Sequence, residues 1–347
     1  MAATRCLKKC SRRKLLSLLT GIVVAFLTLN QSQRLHTKLN LPREKKSQID
    51  NKYNCTSWYG ETFEDNFRVI ENYPLKEADT YLEKLGAKQA RPNQSLPFPV
   101  LVTAASADYY GVTQALLKSI DEIIRPKYQD TKVIFFDLGL NEDQTKKLKK
   151  YCKCEVRKFP FDAMPTHVKM LHNYAWKPII IMKMLMEFGF VWWMDGSVRW
   201  TTNDLEKPIV YCQVNGILFF TYGNSLNVAC HTSPSTMKFL GEDACKFRHL
   251  GEIEAGFGAY FYNKLSFTVV KAWASCALLK NCISPSDATF VCFSCHQDMG
   301  VCHRYDQSVL SIMLRRLYHT HNDYPLVEKP FRLKDIKRGH RIKYFPE

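Results

Sequence analysis

Read for its apolar and polar positions, the chain changes character along its length. Leu15 to Leu29 is an uncharged apolar run that directly follows six basic residues between Arg5 and Lys14. Residues 31–96 are polar, charged and punctuated by proline, with weak helical spacing only around Leu75 to Leu85. From Pro97 onward, short apolar runs alternate with helical spacing. Pro99 to Ala105 and Lys132 to Leu138 read as buried strands, and Cys154 to Phe159 as a third. Between them, Val112 to Ile124 has apolar residues at helical spacing, and Asn141 caps a charged helix through Tyr151. Strand, helix, strand, helix, strand at this spacing predicts parallel pairing and a sheet covered on both faces.

The spacing predicts the next helix over Trp176 to Phe188, with Pro178 in its first turn and Gly189 just past its end. That helix leads into Phe190-Val191-Trp192-Trp193-Met194, a buried strand ending in Asp195. Gly216 to Thr221 and Gly256 to Tyr262 read as strands, and Leu265 to Leu279 and Asp306 to Tyr318 as helices. The basic tail after Asn322 reads as loose, and no internal repeat is evident.

Composition sharpens this picture. Hydrophobic residues make up 46% of the 347, enough for a large core and incompatible with a disordered chain. A formal net charge of +16 raises nucleic acid, anionic lipid and phosphorylated substrates as partners. Much of that charge lies in the N-terminal cluster and in Lys329 to Lys343. No nucleic-acid-binding motif lies between them, so no nucleic acid partner is expected. The apolar run is short against the ~17 to 25 residues of a bilayer span, and a cleaved signal peptide shares its layout. However, the basic stretch before it is long, and no small-x-small cleavage site follows Leu29.

The expectation is a signal anchor. It gives a cytoplasmic tail over 1–14, a transmembrane helix over 15–30, a lumenal stem over 31–96 and a lumenal domain over 97–347. That is a single-pass type II membrane protein of the Golgi or endoplasmic reticulum. Cys6 and Cys10, beside the span, are palmitoylation candidates or bare thiols. The other eleven of the 13 cysteines follow the span, as suits an oxidising lumen. Short spacing favours Cys276 with Cys282, and Cys292 with Cys302 or Cys295. Cys292-Phe293-Ser294-Cys295-His296 also matches a haem-attachment pattern, and with Cys302 and His303 a zinc set, but disulfides are the preferred reading. Asn54-Cys55-Thr56 and Asn93-Gln94-Ser95 are sequons, which makes Asn54 and Asn93 candidate glycosylation sites.

In open α/β sheets ligands bind beyond the carboxyl ends of the strands. Asp195 stands at such an end, where its oxygens suit a hard divalent cation such as Mg²⁺ or Mn²⁺. It equally suits a cap of the Asp195-Gly196-Ser197 turn. The run Trp192-Trp193-Met194-Asp195-Gly196-Ser197 resembles the hydrophobic strand and metal-binding Asp-x-Asp end of GT-A-type nucleotide-sugar glycosyltransferases. Ala175-Trp176-Lys177-Pro178 resembles the opening of their preceding helix, and Glu254 to Tyr260 their later glycine-containing strand. Arg304-Tyr305-Asp306-Gln307-Ser308 resembles their Asp-Gln helix start. The set, covering Pro97 to Tyr318, is most similar to a metazoan branch with Trp-Lys-Pro, Trp-Met-Asp-x-Ser and Tyr-Asp-Gln elements.

The resemblance implies a GT-A-like, mixed but mainly parallel sheet covered by helices. It also implies a nucleotide-sugar donor and a glycan or glycoprotein acceptor, with Mn²⁺ or Mg²⁺ at Asp195. Trp176, Lys177, Arg199 and Gln307 would contact donor or substrate, and Glu254 and Asp306 would carry acid–base work. Glu252 also precedes the glycine strand but matches the motif less well. Asp306 equally suits a helix N-cap, Arg199 a surface ion pair and Gln307 the helix surface. Trp192, Trp193 and Phe135 read as core, and Trp176, Trp200 and Trp273 as freer to face a ligand. Ser197 stands where the family has its second acid, so a catalytically silent module that binds glycan or a partner protein is the alternative. A sulfotransferase is disfavoured, because no Lys/Arg-Gly-Thr loop lies near the first strand.

Overall fold

Seven strands form the main sheet of the computed structural model, in the order β3-β2-β1-β4-β7-β6-β8. They are β1 (Val100–Ala105), β2 (Val133–Asp137), β3 (Glu155–Lys158), β4 (Phe190–Met194), β6 (Ile217–Thr221), β7 (Ile253–Phe261) and β8 (Leu326–Val327). A second pair joins β5 (Val198–Trp200) to β9 (Lys334–Ile336). The structure describes residues 59–84, 86, 92–93, 96–221, 226–292, 298–319, 326–327 and 331–346. All of them belong to the compact unit Cys55–Glu347. The basic N-terminus, the expected span 15–30 and Asn54 lie outside the described residues. Among the described residues, no helix is long and apolar enough to cross a membrane.

β1 pairs in parallel with β2 on one side and β4 on the other, and β2 with β3. β7 runs antiparallel between β4 and β6. The sheet is therefore mixed but mainly parallel, as expected. Successive side chains of a strand face opposite ways, and both faces are covered, so β4 is apolar throughout. Val191 and Trp193 enter one core, and Phe190, Trp192 and Met194 the other.

Ten α-helices lie among the described residues. They are α1 (Phe63–Glu71), α2 (Asp79–Lys84), α3 (Tyr110–Ser119), α4 (Glu142–Tyr151), α5 (Trp176–Phe188), α6 (Glu206–Asn215), α7 (Pro234–Phe239), α8 (Lys264–Leu278), α9 (Lys280–Ile283) and α10 (Asp306–Leu317). The first core packs α5, α8 and α10 against the sheet, and the second packs α3 and α6. Gly189, at φ +70°, ends α5 and lets the chain turn straight into β4.

Two segments differ from the sequence expectation. Residues 59–84 fall in the expected stem, yet α1 packs on α8 and α10 and buries Phe67 and Ile70. A polar helix with a narrow apolar stripe resembles a stem until its partner, more than 190 residues away, is known. The tail after Asn322 is also not loose over 331–346. β9 pairs with β5, Ile342 N–H donates to the Gly111 carbonyl at 3.1 Å, and Tyr344 and Phe345 N–H both donate to Gln114 Oε1. Leu333 and Phe345 are its buried anchors, too far apart among basic residues to register as a period.

Candidate active site at the carboxyl ends of the parallel strands

From β1 the chain builds outward through β2 and β3, then returns to β4 on the other side of β1. The gap between the carboxyl ends of β1 and β4 is thus a topological switch point, where open α/β sheets place ligands. Asp195 is the first residue beyond β4. Its N–H donates to the Gly256 carbonyl at 2.8 Å, and its carbonyl accepts from Val198 N–H at 2.9 Å. Trp193 Nε1 donates to Asp195 Oδ1 at 2.9 Å. A Cβ on Gly256 would lie 2.9 Å from Asp195 Oδ2, so the glycine of the neighbouring strand leaves room for this carboxylate.

Lys177, in the first turn of α5, reaches the same place. Its Nζ lies 3.2 Å from Asp195 Oδ1, 3.3 Å from Oδ2 and 2.7 Å from Asp306 Oδ2. The last contact is an ion pair whose angle falls outside good hydrogen-bond geometry. Lys177 and Asp306 side chains are each 4% exposed, whereas Asp195 is 33% exposed and forms the open rim. Burial pulls the Lys177 ammonium down, but Asp195 and Asp306 more than reverse this, and it stays charged. Burial pushes the Asp306 carboxyl above its ordinary value, with Lys177 opposing and Asp195 adding to the rise.

The surroundings hold these groups in place. Trp273 Nε1 donates to the Asp306 carbonyl at 2.9 Å, and the Tyr174 ring lies 5.2 Å from Lys177 Nζ. Burial, then Asp306, pushes the Tyr174 hydroxyl up to about 12. Tyr174 (φ +53°) and Tyr305 (φ +47°) are the only non-glycine residues with positive φ among those described. One precedes the turn into Lys177 and the other precedes Asp306. Such conformations cost about 1–3 kcal/mol each and tend to gather at functional sites.

The remaining predicted residues are placed differently. Asp306 is the first residue of α10 rather than its cap, a position Tyr305 takes. Trp176 is buried, with Nε1 donating to the Leu171 carbonyl at 3.1 Å, and Trp200 and Trp273 are buried too. Helix and strand periodicity turns each of the three toward a core. The Arg199 guanidinium donates to the carbonyls of Gly196, Val198, Val112 and His340, so it ties the Asp195 turn to α3 and the tail instead of offering a fork to phosphate. Lys334 Nζ contacts both Glu254 oxygens at 2.8 Å, which occupies that carboxylate. Gln307 Nε2 donates to Glu252 Oε2 at 3.0 Å. Asn93 is exposed, as a glycan acceptor must be.

Sequence reasoning missed Lys334 and weighed Glu252 below Glu254. The partners that decide between the glutamates lie 52 to 80 residues away, beyond any local signal.

Disulfides join Cys276 to Cys282 and Cys292 to Cys302, as expected, and also Cys152 to Cys154. His231, Cys292 and Cys302 are the only His, Cys, Asp or Glu group close enough to share an ion among the described residues. Both of its sulfurs are in the disulfide and not thiolates, so neither zinc nor haem attachment finds its ligands at Cys292.

A divalent cation at Asp195 fits the donor chemistry in one form. The chain supplies one half-open carboxylate, with the Ser197 hydroxyl two residues on, and both offer hard oxygen. Mg²⁺-type sites commonly use one or two carboxylates and take their other ligands from substrate phosphates and water.

Residues 39–182 match a family model described as a protein of unknown function (DUF1647), which spans less than half of the chain. No curated protein matches the chain by sequence. Among solved structures, the chain is similar to core-mannan synthase A from Aspergillus fumigatus in its Mn/GDP form, with TM-score 0.42 and 11% identity over 65% of this chain and 70% of that one. It is also similar to mouse xyloside xylosyltransferase 1, with TM-score 0.38 and 12% identity over 62% and 81%. A third likeness is to the mannosyltransferase Ktr4p from S. cerevisiae, with TM-score 0.39 and 10% identity over 81% and 80%. Likeness at this level carries no inference about chemistry, which rests on the residues above.

Proposed function

We propose that this chain is a glycosyltransferase that moves a sugar from a nucleotide-diphosphate donor to a hydroxyl of a glycan or glycoprotein. The observation that carries this reading is the Asp195–Lys177–Asp306 cluster at the switch point between β1 and β4. A half-open carboxylate beside a buried, charged ammonium suits a diphosphate held through a cation. Asp195 and Ser197 would hold Mn²⁺ or Mg²⁺, which supplies charge neutralisation of the departing diphosphate. Lys177 supplies fixed positive charge that needs no reorganisation, and Asp306 keeps it aimed. Gln307 follows Asp306 in α10 and would contact the sugar of the donor. The resemblance in the Trp192 to Ser197, Trp176 to Pro178 and Arg304 to Ser308 segments supports the reading. Disulfides at Cys152, Cys276 and Cys292, with the basic and apolar N-terminal runs, support a lumenal domain anchored by residues 15–30 in the Golgi or endoplasmic reticulum.

A second reading has its own support. Ser197 replaces an acid, and Lys334 occupies Glu254, as in a binding module without turnover. The deciding experiment exposes the full-length chain to a panel of nucleotide sugars with and without Mn²⁺. We expect at least one donor to raise the melting temperature and to be hydrolysed or transferred. No shift and no turnover with every donor would remove the transferase reading.

A further inference from the structure

A second polar cluster continues from the first through the start of α10. Its centre is Glu252, whose side chain is fully buried. Glu252 Oε2 accepts from Arg304 Nη1 at 2.8 Å and from Gln307 Nε2 at 3.0 Å, and lies 3.0 Å from His231 Nδ1. Its Oε1 is buried and has no hydrogen-bond partner. Backbone contacts fix every member. Glu252 N–H donates to the Leu226 carbonyl at 2.8 Å, and Ser308 Oγ to the His231 carbonyl at 2.5 Å. Three groups converging on one oxygen of a buried carboxylate is a specific arrangement, since buried charges survive only when paired and hydrogen-bonded.

The chemistry of that oxygen settles an orientation. A glutamine amide has a donor end and an acceptor end of nearly equal shape. Glu252 Oε2 already accepts from the Arg304 guanidinium, and Gln307 presents Nε2 to the same oxygen. Its carbonyl oxygen then points the other way, and it takes no hydrogen bond from the described residues. Without Glu252 the amide could turn over and present N–H groups to the site instead. Gln307 directly follows Asp306, whose carboxylate is the partner of Lys177.

We propose that Glu252 is a positioning residue for sugar transfer: it locks the Gln307 amide so that its carbonyl oxygen, and not its N–H₂, faces the hydroxyls of the bound sugar. This rests on the transferase reading above. Arg304 and His231 serve the same end by holding Glu252 in place. Glu254, matched to the family motif by sequence, has no such link to Gln307.

The test uses the full-length chain with Glu252→Ala and Glu252→Gln. Because Oε1 accepts nothing, a glutamine at 252 can set its amide oxygen in the Oε2 position and keep all three contacts. With whichever sugar nucleotide the wild type turns over, Glu252→Ala is expected to lose about 100-fold in kcat, the effect of a misplaced contact, with donor KM within about twofold. Glu252→Gln should recover most of that loss. In wild-type protein labelled with [¹⁵N]glutamine, the Gln307 side-chain amide should be protected from hydrogen exchange, a readout that needs no variant to fold. A folded Glu252→Ala enzyme with normal kcat overturns the inference, as does a Glu252→Gln variant no better than the alanine, or a freely exchanging Gln307 amide. A wild type inert to every donor overturns the transferase reading and this inference together, whereas an active wild type with an unaffected alanine variant overturns this inference alone.

Discussion

Lys177→Met should destabilise the fold by about 3–5 kcal/mol near neutral pH, the usual loss when one partner of a buried ion pair is removed. Methionine matches the length and fits the apolar face of α5, so packing is largely kept. What changes is charge. Asp306, already raised by burial, loses the ammonium that opposed the rise, and its carboxyl climbs further. The sign of the pH dependence follows. The unfolded chain releases this proton above about pH 4, while the folded variant keeps it, so its stability is present below that pH and falls as pH rises through the folded value. The deficit against wild type should therefore be smaller at pH 5 than at pH 8. Urea unfolding at both values checks this, and an equal deficit at the two would mean that Asp306 and Lys177 are not a coupled pair.

Arg316→Met should cost a similar amount, about 3–5 kcal/mol, with no loss of donor affinity in the folded fraction. Glu242 is fully buried and is gripped by both arms of the Arg316 guanidinium. Tyr73 O–H donates to Glu242 Oε1 at 2.7 Å, and Arg316 Nη1 to Asn66 Oδ1 at 3.2 Å. Burial, then the Glu242 charge, drives the Tyr73 hydroxyl well up. This cluster fastens residues 59–75 to α10, so its loss should free that segment first. Limited proteolysis should then cut the variant before Pro97 sooner than the wild type. Arg316→Lys keeps charge but not the planar fork, and should fall in between. A variant as stable as wild type would show that residues 59–75 are held by apolar contacts alone.

The sheet was legible because its strands are buried on both faces and read as unbroken apolar runs. Phe190 to Met194 could only be a central strand, and the carboxylate after it could only lie at its end. Pro178 and Gly189 bracketed α5 for equally local reasons. The pairings were not legible. A lysine in a first helical turn reads the same whether it faces solvent or two aspartates, and nothing near Glu254 announces Lys334. Trp176 and Arg199 are residue types that suit a ligand, but the fold spends their polar groups on backbone carbonyls. The tail and α1 are illegible for the same cause. Each is held by a few anchors whose partners lie far along the chain.

On the proposed function, Asp195 meets the cation of the donor diphosphate at the switch point of the sheet. The most direct measurement is donor affinity at fixed Mn²⁺ for wild type and Asp195→Asn, beside a melting curve for each. Asparagine keeps an oxygen for Trp193 Nε1 and caps a turn nearly as well as aspartate, so folding should survive. If Asp195 holds the cation of the diphosphate, affinity should fall by about 10- to 100-fold. Unchanged donor affinity in a folded Asp195→Asn protein would contradict the claim and leave Asp195 a turn cap.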